Sequence, residues 1–278
     1  MQYKVRFIGI TLAGLILSLV GCGGASAPGS SAGPATVVSI TPDRLMYSRT
    51  TKFTVMGLNL DQGTSLRAPQ CSGIAEVVGG TESQRVFSCS PVATGPIAVS
   101  VLNPAGSILA TINPTVPLPR ITIQIPEGDL VLELYPANAP ITVNNFLQYV
   151  ADNFYTDLIF DKVITGYMVQ GGSFNRQLQV VATRSPIKLE SHNGLSNLRG
   201  TIAMARSPAP DSATSEFYIN LADNVGLDTA DGGYAVFGKL IVGFAALEEL
   251  GNEQTASSRG FDYLPITGLV ISSVVQTQ

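Results

Sequence analysis

The stretch DLIFDKVITGYMVQGGSF, residues 157–174, has the pattern of a short apolar strand that leads into a Gln-Gly-Gly triplet. Its apolar positions include several β-branched side chains, which are typical of strands. Lys162 is the single cation of the stretch and lies near the start of the strand, directly after Asp161. Because glycine has no Cβ, Gly171 and Gly172 predict a tight turn of the chain after this strand, beneath a candidate functional site.

Composition narrows the class of protein. The 278 residues suffice for one large core or two modest ones, and 13% of them are charged. This low charge, with abundant Gly, Ser, Thr, Val and Ile, favours a β-rich exported protein over a helical cytosolic one. The net charge of −4 provides no basic surface, so no nucleic-acid partner is expected.

The N-terminus has the pattern of an export signal. Lys4 and Arg6 precede an apolar run at positions 7–20, and this order predicts a signal peptide over residues 1–21. The tetrapeptide Leu-Val-Gly-Cys that ends at Cys22 resembles a bacterial lipobox, which implies that Cys22 is lipidated. An ordinary secretory signal with an incidental cysteine, or an uncleaved anchor, stays open as an alternative.

Residues 22–36 are rich in Gly, Ser, Ala and Pro and predict a flexible tether that starts at Cys22. A lipidated tether implies a membrane anchor in the cell envelope. In a Gram-negative cell the periplasmic face of the outer membrane is the expected place. A monomer is the default expectation, because no sequence feature indicates an oligomer.

Two cysteines, Cys71 and Cys89, remain once Cys22 is assigned to the lipid. An even pair in an exported chain predicts a disulfide, and two free buried thiols are the alternative. His192 is the single histidine and lies far along the chain from both cysteines, so no metal site is expected.

Residues 37–116 have the pattern of an all-β module. Short strand-like segments alternate with Gly, Pro, Asn or Ser, which favours a β-sandwich. The segments are residues 36–42, 51–60, 73–80, 84–90, 95–104 and 107–112. The stretch SITPDRLMYSRTTKFTVMGLNL resembles the opening of IPT-type immunoglobulin-like modules. This resemblance implies that the two cysteines lie on neighbouring or facing strands. Whether the module is a spacer or a partner surface stays open.

A Pro-rich segment, residues 113–120, marks a domain boundary. After it, residues 121–136 alternate around Glu127-Gly128 and predict a hairpin. Helical spacing of Val143, Phe146, Leu147 and Val150 predicts a helix that starts near Pro140. A late helix that stops at Gly251 and a final strand over residues 266–275 follow. Many strands with two helices indicate a closed or nearly closed β-barrel.

Four ordered segments then carry a specific resemblance. They are GDLVLELYPANAPITVNNFLQYV, FDKVITGYMVQGGSF, RGTIAMARSPAPDSATSEFYINLADN and GGYAVFGKLIVGFAALEEL. Together they resemble the cyclophilins, which are peptidyl-prolyl cis/trans isomerases. The resemblance implies an eight-stranded barrel capped by two helices over residues 119–278. It also implies proline-containing polypeptides, exported or unfolded, as substrates, and a reaction that needs no cofactor.

The resemblance also implies a set of site residues. Lys162 stands where the family has its catalytic arginine, and Gln170 matches the family glutamine that holds that arginine and the peptide. The residues that match substrate-binding positions are Phe160, Tyr167, Met168, Ala205, Glu216, Tyr218, Leu227 and Tyr234. Asn220 lies in a matching strand and is given no role.

Three departures from the family pattern involve charge: Lys162 replaces arginine, Asp161 replaces histidine and Glu216 replaces glutamine. Arginine presents a planar fork of donors, whereas lysine is a point charge on a flexible stem and is oriented less well. An ion pair between Lys162 and Glu216 would also hold the ammonium away from substrate. The sequence therefore predicts an isomerase of reduced activity. A module that binds proline-containing peptides without catalysis is the alternative.

Overall fold

The computed structural model describes residues 33–278, and Pro34–Gln278 form one compact unit. The predicted signal peptide, Cys22 and most of the predicted tether lie outside the described residues. Within residues 33–278 no helix is long and apolar enough to cross a membrane. The proposed boundary near residue 117 stays a prediction, although no described strand up to Val116 pairs with a strand that follows it.

The first part of the described chain is all-β. Its strands are β1 (Thr36–Pro42), β2 (Thr51–Leu58), β3 (Ser65–Arg67), β4 (Cys71–Glu76), β5 (Gln84–Pro91), β6 (Gly95–Pro96), β7 (Val99–Leu102), β8 (Ile108–Ile112) and β9 (Thr115–Val116). They form an antiparallel sheet in the order β1-β2-β5-β4, a second sheet in the order β3-β7-β8, and the pair β6-β9. An immunoglobulin-like identity for this part stays a prediction.

Side chains from both of the larger sheets belong to one apolar core. Phe53 and Phe87 come from β2 and β5, and Val99 and Val101 come from β7; all four are buried. A disulfide joins Cys71 at the start of β4 to the buried Cys89 of β5, with a Cα–Cα distance of 5.6 Å. The two cysteines therefore lie on neighbouring strands of one sheet.

The second part contains the remaining regular elements. They are β10 (Arg120–Ile125), β11 (Gly128–Leu134), α1 (Pro140–Ala151), β12 (Leu158–Ile164), β13 (Met168–Asn175), β14 (Thr201–Met204), β15 (Phe217–Asn220), two short 3-10 helices (Val225–Asp228 and Ala230–Gly232), β16 (Val236–Val242), α2 (Phe244–Gly251), β17 (Thr255–Ser258), β18 (Phe261–Pro265) and β19 (Ser273–Gln276). Eight of these strands form one curled sheet in the order β12-β13-β15-β14-β16-β11-β10-β19. The predicted mostly-β class with two helices is confirmed, and the sheet has the form of a half-barrel.

The last segment of the chain connects the two edges of this sheet. The N–H of Phe160 in β12 donates to the carbonyl of Leu269 at 2.9 Å, and Ile271 donates to Leu158 at 2.8 Å. A few residues later β19 pairs with β10 at the opposite edge. The single long strand predicted over residues 266–275 is therefore wrong: the chain leaves one edge at 271 and starts its regular strand at Ser273.

Both predicted helices are present, and each buries an apolar face. Val143, Phe146, Leu147 and Val150 of α1 are all buried, and Pro140 is the first helical residue, where its missing N–H costs no hydrogen bond. The predicted hairpin is the antiparallel pair β10–β11. Helix α2 ends at Gly251, the predicted stop.

Gln276 connects the second part to the first. Its side-chain Nε2 donates to the carbonyl of Tyr47 at 2.9 Å, and its Oε1 accepts from Arg49 Nε at 2.7 Å. Arg44 also donates to the carbonyl of Thr277. Both ends of one amide are thus satisfied by the loop between β1 and β2.

The disulfide is expected to stabilise the first part measurably. Replacing both cysteines (Cys71→Ala with Cys89→Ala) should lower the free energy of unfolding by about 3 kcal/mol, because the bond closes a loop and restricts the unfolded chain. Urea unfolding under oxidising conditions measures this change. The circular dichroism spectrum of the folded state in native buffer is the control and should stay constant. An unchanged unfolding midpoint would contradict the prediction.

Candidate active site

Strand register places the predicted site residues in one row. Lys162 of β12 pairs with Gln170 of β13, and Gln170 pairs with Tyr218 of β15. Residues that are opposite each other on neighbouring strands project to the same face of the sheet. The sheet therefore brings together, from three strands, side chains that are up to 56 positions apart in sequence.

These residues border a cavity of about 250 Å³. It is lined by Lys162, Tyr167, Met168, Gln170, Ala205, Arg206, Glu216, Tyr218, Leu227 and Tyr234. Nine of the ten residues predicted from the sequence are in this set. Its floor is a small apolar cluster that is separate from the main core and includes Ala203, Ala205 and Tyr218. The cavity combines an apolar surface with a few charged groups, as expected of a ligand site.

Phe160 is the predicted residue that does not line this cavity. Its side chain is fully buried in the main core and packs edge-on against Phe217, with ring centroids 6.2 Å apart. It also borders a different cavity of about 600 Å³, together with residues of β17, β18 and the segment that follows them. The substrate-binding role predicted for Phe160 is therefore replaced by a role in the core.

The Gly-Gly pair does not form the predicted turn. Gly171 and Gly172 lie inside β13, where a Cβ on Gly171 would be 2.6 Å from the carbonyl oxygen of Ile159. Gly172 has φ +101°, a conformation that side chains disfavour. Gly171 is required because β12 lies so close to β13, and Gly172 because of its positive φ and its contact with the Ser215 carbonyl; sequence alone indicates neither.

Glu216 binds Gln170 in this structure. Gln170 Nε2 donates to Glu216 Oε1 at 3.1 Å, so a carboxylate fixes the amide through its donor end. Burial raises the pKa of Glu216, while the hydrogen bond from Gln170 and the charge of Lys162 lower it; the net shift is upward. Among the described residues the side-chain ammonium of Lys162 forms neither an ion pair nor a hydrogen bond. The ion pair that Lys162 and Glu216 could form is therefore absent from the described contacts.

Asp161 is a buried acid directly before Lys162. Its side chain is 4% exposed, and its Oδ1 has no hydrogen-bond partner among the described residues. Burial, and then the nearby charge of Glu216, raise the pKa of Asp161 to about 7, although its own backbone N–H and Lys162 act in the opposite direction. This group therefore changes charge near neutral pH.

A polar network behind the cavity was not predicted. The Tyr218 hydroxyl donates to Asn197 Oδ1 at 2.8 Å, and Asn220 Nδ2 donates to the same oxygen at 3.2 Å. Asn197 Nδ2 in turn donates to Asp228 Oδ1 at 2.8 Å. The network holds the Tyr218 hydroxyl behind the wall, so that the cavity receives the ring. The one sequence signal was that Asp228 directly follows Leu227.

Arg206 is a second residue that sequence reasoning missed. Its guanidinium lies 4.5 Å from the centroid of the Tyr234 ring, and it donates to the carbonyls of Gly233 (2.8 Å) and Asp231 (2.6 Å). A cation stacked on an aromatic face is attracted to it, and arginine is the usual partner. Arg206 therefore fixes the wall of the cavity that contains Tyr234. Its position directly after Ala205 was the available signal.

The raised pKa of Asp161 has a consequence for stability. Between about pH 4 and about pH 7 the folded state keeps a proton that the unfolded state loses, so the free energy of unfolding decreases as pH rises through this range. Asp161→Asn removes this dependence. We expect the variant to match the wild type near pH 4 and to exceed it by up to about 4 kcal/mol at pH 8.

Urea unfolding of both proteins at several pH values tests this expectation. Asp157→Asn is a matched control, because Asp157 is an exposed acid at the start of the same segment, paired with Arg176. A difference between Asp161→Asn and wild type that is independent of pH would contradict the prediction.

The second part of the chain is similar to known proteins. Residues 120–274 match the family model described as cyclophilin type peptidyl-prolyl cis-trans isomerase. A peptidyl-prolyl cis-trans isomerase of Acinetobacter baylyi is 46% identical over 149 residues, which is 53% of this chain and 79% of the relative. Peptidyl-prolyl cis-trans isomerase B of Escherichia coli is 39% identical over 163 residues, covering 57% of this chain and 99% of the relative.

A solved structure is also similar. It is a cyclophilin type peptidyl-prolyl cis-trans isomerase of Cryptosporidium parvum, determined in the presence of the dipeptide Ala-Pro, with 29% identity and a TM-score of 0.49. The match covers 57% of this chain and 99% of the other. Because the matched family model spans more than half of the sequence, the chain belongs to the cyclophilin type peptidyl-prolyl cis-trans isomerases.

Proposed function

We propose that this isomerase uses Lys162 as the donor to the prolyl nitrogen and works more slowly than relatives with arginine there. Its substrates are X–Pro bonds in exported or unfolded proteins of the cell envelope. The observation that carries the proposal is the cavity that places Lys162 and Gln170 beside the apolar Met168 and Leu227.

The reaction explains why such a cavity is sufficient. Rotation about an X–Pro bond crosses a barrier of about 18–20 kcal/mol that arises from amide resonance. As the bond twists, the prolyl nitrogen becomes pyramidal and gains a lone pair that can accept a hydrogen bond. A donor at that position stabilises the twisted state more than either planar state. No bond to carbon breaks, so the chemistry requires neither a nucleophile nor a cofactor.

The walls of the cavity suit a proline ring and its flanking peptide. Met168 and Leu227 supply apolar contacts, and Tyr218 presents its ring because its hydroxyl is bound to Asn197. Tyr167 and Tyr234 are half-buried and also line the cavity. Ala205 is small and leaves room for an extended backbone. Proline-containing polypeptides are therefore the proposed ligands.

The reduced rate follows from how Lys162 is supported. Arginine can bind a glutamine with one edge and still direct a donor at substrate, whereas the ammonium of lysine has no fixed orientation. In this chain the Gln170 amide donates to Glu216. Loss of an oriented donor costs about 2.7–4 kcal/mol, or 10²–10³ in rate, and a poorly oriented one should cost less.

The same contact supports a second candidate function. Gln170 donates to Glu216, and the ammonium of Lys162 is not held in place, but the apolar walls of the cavity are still present. Such a site could bind proline-containing segments without useful turnover. The chain would then act as a holding module on a membrane-anchored lipoprotein, and measured rates decide between the two functions.

The envelope location is proposed from three features. Residues 1–21 have the pattern of a signal peptide, Cys22 ends a lipobox-like tetrapeptide, and residues 22–36 have the composition of a tether. The disulfide between Cys71 and Cys89 is compatible with an oxidising compartment. In a Gram-negative cell we place the protein on the periplasmic face of the outer membrane.

Substitutions at Lys162 test the role of the donor. Lys162→Arg should raise kcat/KM for a short X–Pro peptide, and Lys162→Ala should lower it by about tenfold or more, because the alanine leaves the prolyl nitrogen without a donor. Relaxation of the cis peptide to trans is the measurement.

Lys188→Ala is the control, since Lys188 is exposed and outside the cavity. If the wild type has no rate above background while a proline peptide still binds, the chain is a holding module. If Lys162→Ala keeps the full rate, Lys162 is not the donor.

The anchor is tested by Cys22→Ser. The wild type should fractionate with membranes and incorporate a labelled fatty acid, and the variant should do neither, because serine cannot form the thioether to the lipid. Wild-type protein recovered in the aqueous fraction without label would contradict the lipoprotein proposal.

A further inference from the structure

The three charged departures of the site are neighbours. Asp161 directly precedes Lys162 on β12, and the charge of Glu216 acts on both residues. The pairing of β12 with β13 is irregular between Phe160 and Lys162. An irregular ladder of this kind disturbs the strict alternation of side chains across a strand. Asp161 and Lys162 are therefore not forced to opposite faces as ordinary strand neighbours are.

Two of these residues carry a side-chain polar atom without a hydrogen-bond partner in the described part of the chain. Asp161 Oδ1 is buried without a donor, and the Lys162 ammonium forms no ion pair or hydrogen bond. A buried carboxylate without a partner is strongly unfavourable once it is ionised. The nearest unpaired cation is on the next residue. Ionisation of Asp161 therefore favours a contact with Lys162 that the neutral acid does not need.

The other groups around Asp161 do not replace this contact. Glu216, from the segment before β15, is an acid and repels a second negative charge, and it already accepts from Gln170. Arg206 is the other cation of the cavity, but its guanidinium is held by the carbonyls of Gly233 and Asp231. The remaining titratable groups of the cavity are the hydroxyls of Tyr167, Tyr218 and Tyr234. Among the described residues, Lys162 is the one cation whose charge acts on Asp161.

We propose that Asp161 is a positioning residue that controls the availability of Lys162: the neutral acid leaves the ammonium free to face substrate, and the ionised acid draws it out of the cavity. This proposal rests on the proposed function, in which Lys162 is the donor to the prolyl nitrogen. It assigns to an acid outside the cavity lining the control of the catalytic cation.

The direction with pH follows from the state of the acid. Burial and Glu216 raise the pKa of Asp161 to about 7, so the acid is mostly neutral one unit below neutrality and mostly ionised one unit above it. The rate should therefore be high at the lower pH and fall as pH rises. If Asp161 did not control Lys162, the rate would show no such fall.

The experiment is a pH profile of kcat/KM for a short X–Pro peptide, measured with the full chain. The kcat/KM of the wild type should fall about tenfold between pH 6 and pH 8. This is less than the loss expected when a donor is removed completely. Asp161→Asn should keep the low-pH rate throughout, because its amide stays neutral. Glu216→Gln should move the midpoint to lower pH, because it removes the like charge. Asp157→Asn, the exposed acid, should keep the wild-type profile.

A second readout does not depend on catalysis. The side-chain NMR signal of Lys162, identified by its loss in Lys162→Arg, should titrate near pH 7 in the wild type and not in Asp161→Asn. Three results would each overturn the proposal. They are a wild-type kcat/KM that does not change with pH, an Asp161→Asn kcat/KM that still falls between pH 6 and pH 8, and a Lys162 NMR signal that does not shift with pH. A full rate in Lys162→Ala would instead reject Lys162 as the donor, and the NMR titration would still report on the contact.

Discussion

The close approach of β12 and β13 is the constraint on which the site depends. At Gly171 the two backbones are so near that any Cβ would collide with the carbonyl of Ile159. This approach directs Phe160 into the core, where it packs against Phe217, and sets Lys162 opposite Gln170. The row continues to Tyr218 on the next strand. The glycine at position 171 thus permits the pairing that puts Lys162 in this row.

The charged residues of the site form a connected set. An arginine presents a planar fork of donors, whereas the ammonium of lysine is oriented less well, and here the amide of Gln170 donates to Glu216. Glu216 in turn raises the pKa of Asp161, which is buried directly before Lys162. Each departure from the family pattern changes the environment of the others. The effect of one substitution on activity should therefore depend on the other two, as is usual for residues in contact.

Different residues outside the substrate-binding set hold different walls of the cavity in place. Arg206 fixes Tyr234 through a cation–π contact and the carbonyls of the preceding loop. Asn197 and Asp228 hold the Tyr218 hydroxyl from behind. The curled sheet is itself connected edge to edge by the segment at Leu269 and Ile271, and Gln276 then binds the first part of the chain. Rigid elements and hydrogen-bonded loops thus position side chains that come from widely separated segments.

The sequence by itself determined the fold class, the two helices, the hairpin and nine of the ten cavity residues. Helix faces and turn residues are local patterns, and four matched segments located the site, so these could be predicted. Phe160, the Gly-Gly pair, the last strand and the partners of Gln170 and Arg206 could not. They depend on how closely two strands approach, on where a ladder is irregular and on which donor reaches which acceptor. These are distances between residues far apart in sequence, and only the tertiary structure decides them.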